Sequence, residues 1–284
     1  MITGKTRLTG LLGSPVKHSI SPLMHNEAFR QLELDYVYLC FETGEEQMEE
    51  TVRALKTLNV RGFNCTMPVK LRMYELADRL SPAAELIGAV NTVVNDQGIL
   101  TGHNTDGIGY MSAVKEKGYD IIGKKMTLLG AGGAATAIAV QAALDGVAEI
   151  ALFNRRGRSW ERAQKLTDLL NQKTSCHVTL HDLEDQGAMR LELADSTLLT
   201  NATSVGMSPR EESSPIADPT VLHERLVVSD VIYNPRETLL MKQAKARNCS
   251  TFNGLYMLLY QGAAAFELWT GKQFPLEEIR AKYF

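Results

Sequence analysis

The stretch KMTLLGAGGAATAIAVQAALDG, Lys125 to Gly146, constrains the fold of this chain more than any other. A short apolar run passes into a glycine-rich turn and then an alanine-rich helix, and EIALFN follows as a second apolar run. Strand, tight turn, helix and strand make a β-α-β unit, with two parallel strands and the helix packed across them. The turn fits G-x-G-x-x-A, with Gly130, Gly132 and Ala135 in the small positions. Small residues let the backbone turn sharply and approach a pyrophosphate at the helix N-terminus, where unpaired amides favour an anion. Alone, the pattern also describes a turn with no ligand. Its place between a strand and a helix is what favours a dinucleotide.

The end of the second strand bears on which dinucleotide. A unit that prefers NAD usually carries Asp or Glu there, against the adenosine ribose. This chain has FNRRGRSWERA instead, with Asn154, Arg155, Arg156, Gly157 and Arg158. Three arginines suit a 2′-phosphate, so NADP is favoured over NAD, although a solvated basic loop would look the same.

Elsewhere, short apolar runs alternate with amphipathic ones, the pattern of parallel α/β structure. LTGLLG, YVYLCFE and RGFNCTM are expected strands, and SPLMHNEAFRQLEL, MEETVRALKTLNV and LRMYELADRL expected helices. GAVNTVVNDQGILTGHNTDG predicts two strands around an Asp96-Gln97-Gly98 turn. Past DGIGYMSAVKEKG, further strands are expected at HVTLHD, STLLTNAT, LVVSDVIY and STFNG, and helices at TLLMKQAKARN and in the two C-terminal segments. The expected fold class is α/β in two domains, one a Rossmann-type nucleotide-binding domain.

Composition narrows the partner. A net charge of −3 over 284 residues offers no footprint for nucleic acid or an anionic membrane, so the expected partner is a small molecule. Cys40, Cys65, Cys176 and Cys249 stand far apart with no C-x-x-C pair, which predicts free thiols and no metal site. The N-terminus lacks an apolar signal core and no apolar run reaches about 18 residues, so a cytoplasmic location is expected.

Several strand ends outside the nucleotide unit are polar: HSISP with Ser19 and Ser21, NCTMPVK with Thr66 and Lys70, GAVNT with Asn91, and NTDG with Asp106. Strand ends commonly line a ligand crevice. Hydroxyls, an amide, an amine and a carboxylate suit a small polyhydroxylated anion. When an alcohol loses hydride its hydroxyl proton must also leave, and a lysine–aspartate pair can hold and relay that proton. Taken singly, Lys70 would pass for a surface lysine and Asp106 for a helix cap.

These motifs, with GHNTDG, FNRR, TNATSVGM, YNP and NGLYMLLYQGAAAFELWTG in the same order, resemble the shikimate dehydrogenase family end to end, and within it the quinate/shikimate dehydrogenase branch. The resemblance implies reversible NAD(P)-dependent interconversion of shikimate and 3-dehydroshikimate, a step towards the aromatic amino acids, with quinate a further substrate to test. It implies Lys70 and Asp106 as the catalytic pair. Ser19, Ser21, Thr66, Asn91, Tyr233 and Gln261 would hold substrate. Gly130, Ala131, Gly132, Gly133, Ala134, Asn154, Arg155, Arg156, Thr203, Gly254 and Met257 would hold the cofactor. It further implies a discontinuous substrate domain, residues 1–105 with 254–284 returning to it, and a nucleotide domain over 106–253. A homodimer is left open.

Two departures from the family pattern stand out. Cys65 replaces a common Val and is expected to point away from substrate. The loop after Asn154 has the length of the quinate/shikimate branch, but Gly157 stands where an Asp there favours NAD, so the cofactor choice stays open. Two other readings fit less well. A nucleotide-sensing regulator without catalysis would be supported by loss of the lysine or aspartate, and both are present. A dehydrogenase for a folate-like or amino-acid substrate fits the paired serines and Gln261 poorly.

Overall fold

The computed structural model describes residues 2–284. The chain forms two compact units, one running through Gly109 and resumed at Leu259–Phe284, the other spanning Tyr110–Leu258.

In the first unit the order is β1 (Arg7–Gly13), α1 (Ser21–Gln31), β2 (Tyr36–Glu42), α2 (Met48–Thr57), β3 (Gly62–Cys65), α3 (Lys70–Leu76), β4 (Arg79–Leu80), α4 (Pro82–Ile87), β5 (Thr92–Asp96) and β6 (Ile99–His103). The helix α5 (Asp106–Glu116) leads into the second unit. The six strands form one sheet in the order β2-β1-β3-β5-β6-β4. It is mixed rather than parallel throughout: β1 pairs parallel with β2 and β3, while β5 is antiparallel to both β3 and β6. The short turn at Gln97-Gly98 makes β6 run antiparallel to β5, whereas β5 reaches its antiparallel place beside β3 through α3, β4 and α4.

The expected helix over LRMYELADRL is half right. Helix α3 stops at Leu76, Ala77 is extended, and Arg79–Leu80 pair with β6 as β4. Asp78 forces the change: its backbone N–H donates to the Leu100 carbonyl at 2.9 Å, and its carboxylate accepts from the Leu100 N–H at 2.7 Å. Ser81 then caps α4, accepting from the Ala84 N–H, with Pro82 in the first turn.

The second unit contains β7 (Lys125–Leu129), α6 (Gly133–Asp145), β8 (Glu149–Asn154), α7 (Trp160–Lys173), β9 (His177–Asp182), α8 (Gln186–Asp195), β10 (Leu198–Asn201), β11 (Val227–Asp230), α9 (Leu239–Ala246) and β12 (Ser250–Asn253). All pairings in its sheet are parallel, in the order β12-β11-β10-β7-β8-β9. This is the doubly wound dinucleotide-binding order, with its switch point between β7 and β10. Ala135, Ala137, Ala139, Ala142 and Ala143 of α6 are all buried, so small side chains seat the helix tightly on the sheet.

Helix α10 (Leu255–Thr270) carries the chain back to the first unit, and α11 (Leu276–Tyr283) completes it. Trp269 of α10 is buried and donates its indole N–H to the Val93 carbonyl at 2.9 Å. Gly62 is required beneath it, since a Cβ there would lie 2.3 Å from the indole nitrogen. Around this contact His25, Phe29, Tyr38, Phe266 and Phe274 form an aromatic core. His25 is fully buried, stacks on Tyr38 at 4.5 Å, and its pKa is pushed down to about 3 by that burial.

Candidate active site

Lys70 sits at the first position of α3, after the loop that leaves β3. That loop is fixed at both ends: Thr66 N–H donates to the Leu12 carbonyl at 2.9 Å, and Val90 N–H donates to the Lys70 carbonyl at 3.1 Å. The side chain is therefore aimed from a rigid base. Its Nζ donates to Asp106 Oδ2 at 2.6 Å, and the two side chains are 30% and 18% exposed. The amine at the end of NCTMPVK is thus held against the carboxylate that opens α5.

Asp106 is the first residue of α5. Its second oxygen accepts from Asn91 Nδ2 at 2.9 Å. The amide of Asn91 cannot turn over, because its Oδ1 already accepts from the Thr105 N–H at 2.8 Å and the Thr92 hydroxyl at 2.9 Å. Behind it, Asn64 Nδ2 donates to Thr92 Oγ1 at 2.9 Å, and the Tyr38 hydroxyl donates to Asn64 Oδ1 at 2.8 Å. Each member of this chain is buried, and burial raises the Tyr38 hydroxyl well above its ordinary value. A satisfied buried network of this kind fixes geometry, because any one member that turns leaves others unpaired in a low-dielectric setting.

Ser21 begins α1, is nearly buried, and its hydroxyl reaches that of Tyr38. Ser19 accepts from the Ser21 N–H at 3.2 Å. Thr66 is half-buried. Gln261 lies on α10 one residue before Gly262, where the helix comes so close to α1 that a Cβ would fall 2.2 Å from Met24 Cε. The first unit therefore carries Ser19, Ser21, Thr66, Lys70, Asn91, Asp106 and Gln261. Direct bonds join Lys70, Asn91 and Asp106, whereas Ser19 and Thr66 make none to that group. Cys65 lies in the apolar core beside Phe63 and Val69, and burial pushes its thiol up.

In the second unit the glycine loop follows β7. Gly130 has φ +105° and a Cβ there would meet Thr203 Cγ2 at 3.0 Å, so both conformation and crowding demand glycine. Gly132 and Gly133 differ. Neither has a positive φ, and an added Cβ at either would meet nothing within 4 Å. The protein itself gives no reason for glycine at these two positions. Both positions lie open at the start of α6, where unpaired amides favour an anion. Ala131 is buried beneath the loop, and Ala134 lies in the first turn of α6.

Thr203 donates to Asn201 Oδ1 at 2.7 Å and accepts from the Val205 N–H at 3.1 Å, closing the turn after β10. Asn201 is anchored in turn on buried Asp230, which also accepts from the Thr238 hydroxyl. Burial pushes this carboxyl up to about 6. A Cβ at Gly254 would lie 1.9 Å from the Val231 carbonyl oxygen, so only glycine fits there. Tyr233 is 49% exposed, and Met257 is half-buried on α10.

At the end of β8, Asn154 is buried and donates to Ser159 Oγ at 3.0 Å, shaping the arginine loop. Arg156 stacks on Trp160 at 4.0 Å and its Nε donates to Asp182 Oδ2 at 3.1 Å. Arg155 and Arg158 are exposed. Gly157 has φ +136°, a conformation that strains any residue with a side chain. Among the described residues no cluster of His, Cys, Asp or Glu is arranged to hold a metal ion, and no helix is long and apolar enough to cross a membrane.

Residues 11–93 match the shikimate dehydrogenase substrate binding domain, and residues 254–282 the shikimate 5′-dehydrogenase C-terminal domain. A shikimate dehydrogenase (NADP(+)) of Listeria monocytogenes is 53% identical over 283 residues, covering 100% of this chain and 97% of that protein. The chain belongs to the shikimate dehydrogenase family. A crystal structure of shikimate 5-dehydrogenase from Listeria monocytogenes in complex with shikimate and NAD superposes with a TM-score of 0.97 at 53% identity, covering 100% of this chain and 98% of that one. Quinate dehydrogenase from Corynebacterium glutamicum in complex with NAD gives 0.84 at 29% identity, covering 98% of each chain.

Within this shikimate dehydrogenase fold, sequence reasoning misses the residues behind the reactive pair. Tyr38, Asn64, Thr92 and Thr105 together hold Asn91 and Asp106. The available signal is a polar residue within an otherwise apolar buried strand, as with Asn64 in GFNC. Asp182 at the arginine loop leaves no local signal, because it meets Arg156 only through the pairing of β8 with β9.

Proposed function

We propose that the protein is an NAD(P)-dependent oxidoreductase that interconverts shikimate and 3-dehydroshikimate. The observation that carries this reading is the contact of Lys70 Nζ with Asp106 Oδ2 at 2.6 Å, with the carboxylate held from its other side by Asn91. Oxidation of a secondary alcohol removes a hydride and a proton. A nicotinamide dinucleotide, when bound, supplies the hydride-accepting chemistry. The chain supplies the rest: Lys70 and Asp106 take the hydroxyl proton in the oxidative direction and return it in the reductive one. Ser19, Ser21, Thr66, Tyr233 and Gln261 would serve the carboxylate and ring hydroxyls of the substrate. Asn91 acts through Asp106, since both ends of its amide are already engaged.

Gly130, Ala131, Gly132, Gly133 and Ala134 would hold the pyrophosphate, and Asn154, Arg155 and Arg156 the adenosine end. Thr203, Gly254 and Met257 would serve the nicotinamide end. NADP is the preferred form and NAD is accepted. Support for the phosphate comes from exposed Arg155 and Arg158 and from the absence of an acid at Gly157. Support for NAD comes from the engagement of Arg156 with Asp182, and from the relative crystallised with NAD.

The test is an initial-rate grid on purified protein, crossing shikimate and quinate with NADP and NAD and following nicotinamide reduction. Shikimate oxidation with a higher kcat/KM for NADP supports the reading. A higher kcat/KM for quinate would move the substrate to the quinate branch. No rate in any combination would remove the dehydrogenase reading and restore the nucleotide-sensing one.

A further inference from the structure

We propose that Asp182 sets the cofactor preference of this chain by engaging Arg156 and so withholding one guanidinium from a 2′-phosphate. The inference rests on the dinucleotide reading of the second unit and concerns a residue at the end of β9, outside the glycine loop and outside the arginine loop itself. Asp182 faces Asn154 across the pairing of β8 with β9, so the sheet register brings its carboxylate to the arginine loop.

Both oxygens of Asp182 are used. Oδ1 accepts from the Glu184 N–H at 3.1 Å, an Asx turn that fixes the carboxylate, and Oδ2 accepts from Arg156 Nε at 3.1 Å. Trp160 holds the guanidinium from another direction, with its ring centroid 4.0 Å away. Leu183 N–H donates to the Asn154 carbonyl at 3.0 Å and ties the Asp182 segment to the strand end that bears the arginines. Arg156 is thus restrained by a stack and an ion pair. Arg155 and Arg158 have no ionic partner among the described residues.

A 2′-phosphate monoester carries roughly −1.5 to −2 charges near neutral pH, whereas the ribose 2′-hydroxyl of NAD carries none. A carboxylate at this position therefore acts selectively. It neutralises Arg156 and repels the phosphate, while costing a neutral ribose little. Glycine at position 157 leaves the usual acidic determinant missing, and Asp182 supplies an acid to the same loop from the neighbouring strand. The outcome is a loop with arginines enough for NADP but with one of them held back.

Asp182→Asn is the informative change, because an amide oxygen still accepts the Glu184 N–H while the charge is lost. Calorimetric Kd values for NADP and NAD would be measured on the wild type, Asp182→Asn, Arg156→Ala and the double variant, with Asp182→Ser as a second variant that keeps the turn acceptor. Asp182→Asn is expected to tighten NADP by about three- to tenfold and to leave NAD within about twofold. In the Arg156→Ala background the same change is expected to give no gain. An unchanged NADP-to-NAD ratio in both Asp182 variants would overturn the proposal. A full gain that persists without Arg156 would overturn the route through that arginine. Failure of the wild type to bind either nucleotide would instead remove the dinucleotide reading beneath it.

Discussion

Lys70 Nζ donates to Asp106 Oδ2 at 2.6 Å, joining the first residue of α3 to the first residue of α5. The two residues lie 36 positions apart, so the contact is a product of the fold and not of local sequence. An amine and a carboxylate that share one contact act on a proton as a unit. Asp106→Ala is expected to lower kcat by about a hundredfold or more, and adding Lys70→Ala should cost much less than the product of the single effects. Steady-state kinetics on both singles and the double variant check this, and full multiplicativity would mean independent roles.

Asn91 separates positioning from substrate binding. Asn91→Ala leaves the Thr105 N–H without its acceptor and releases one oxygen of Asp106. Stability is expected to fall by about 1–3 kcal/mol, the cost of stranding a buried polar group. The kcat is expected to fall about tenfold or more, with a smaller change in shikimate KM. A large rise in KM at unchanged kcat would assign Asn91 to the substrate instead.

The glycine loop makes a prediction in which fold and function part company. An added methyl at position 132 meets nothing within 4 Å. Gly132→Ala should therefore keep the melting temperature within a degree or two, by an order-of-magnitude allowance for a surface substitution. Dinucleotide affinity, measured by calorimetry, should fall at least about tenfold as the methyl intrudes on the approach to the amides. Unchanged affinity would move the pyrophosphate away from this turn.

Much of this is legible in the sequence because it is local. The strand, glycine turn and helix around Gly130 announce themselves within about 20 residues, as the spacing rule for such units requires. The turn between β5 and β6 is also visible at Gln97-Gly98. What escapes depends on distant partners. Asp78 breaks the helical reading of LRMYELADRL only because Leu100 is there to bond it. Tyr38 on β2 and Asn64 on β3 meet across the intervening β1, in a sheet order that no window of sequence contains. In the sequence the arginine loop reads as three equivalent cations, and only the placement of β9 brings Asp182 to one of them.

Buried His25 predicts a specific response to acid. Its pKa falls from 6.5 to about 3 because burial penalises the charged ring. The unfolded chain takes up this proton below pH 6.5 while the native state declines it, so this contribution to stability is full above pH 6.5 and lost as pH falls towards 3. Asp230 acts in the opposite sense, since its carboxyl is raised from 3.8 to about 6 and native protonation between those values is stabilising. Comparison with His25→Leu isolates the histidine. The wild type should lose about 3 kcal/mol of stability relative to this variant from about pH 7 to about pH 4, measured by denaturant unfolding. A pH-independent difference would mean that His25 is not the group excluded from protonation.

The most direct test is the rate of shikimate oxidation by wild type and Lys70→Ala, each at saturating NADP and with matched circular dichroism and melting temperature. Lys70 is partly exposed, at 30%, and the matched circular dichroism and melting temperature report that its removal leaves the fold intact. A measurable wild-type rate and a loss of about a hundredfold or more in the variant are expected if Lys70 moves the hydroxyl proton. A folded variant that keeps the wild-type rate would contradict that role.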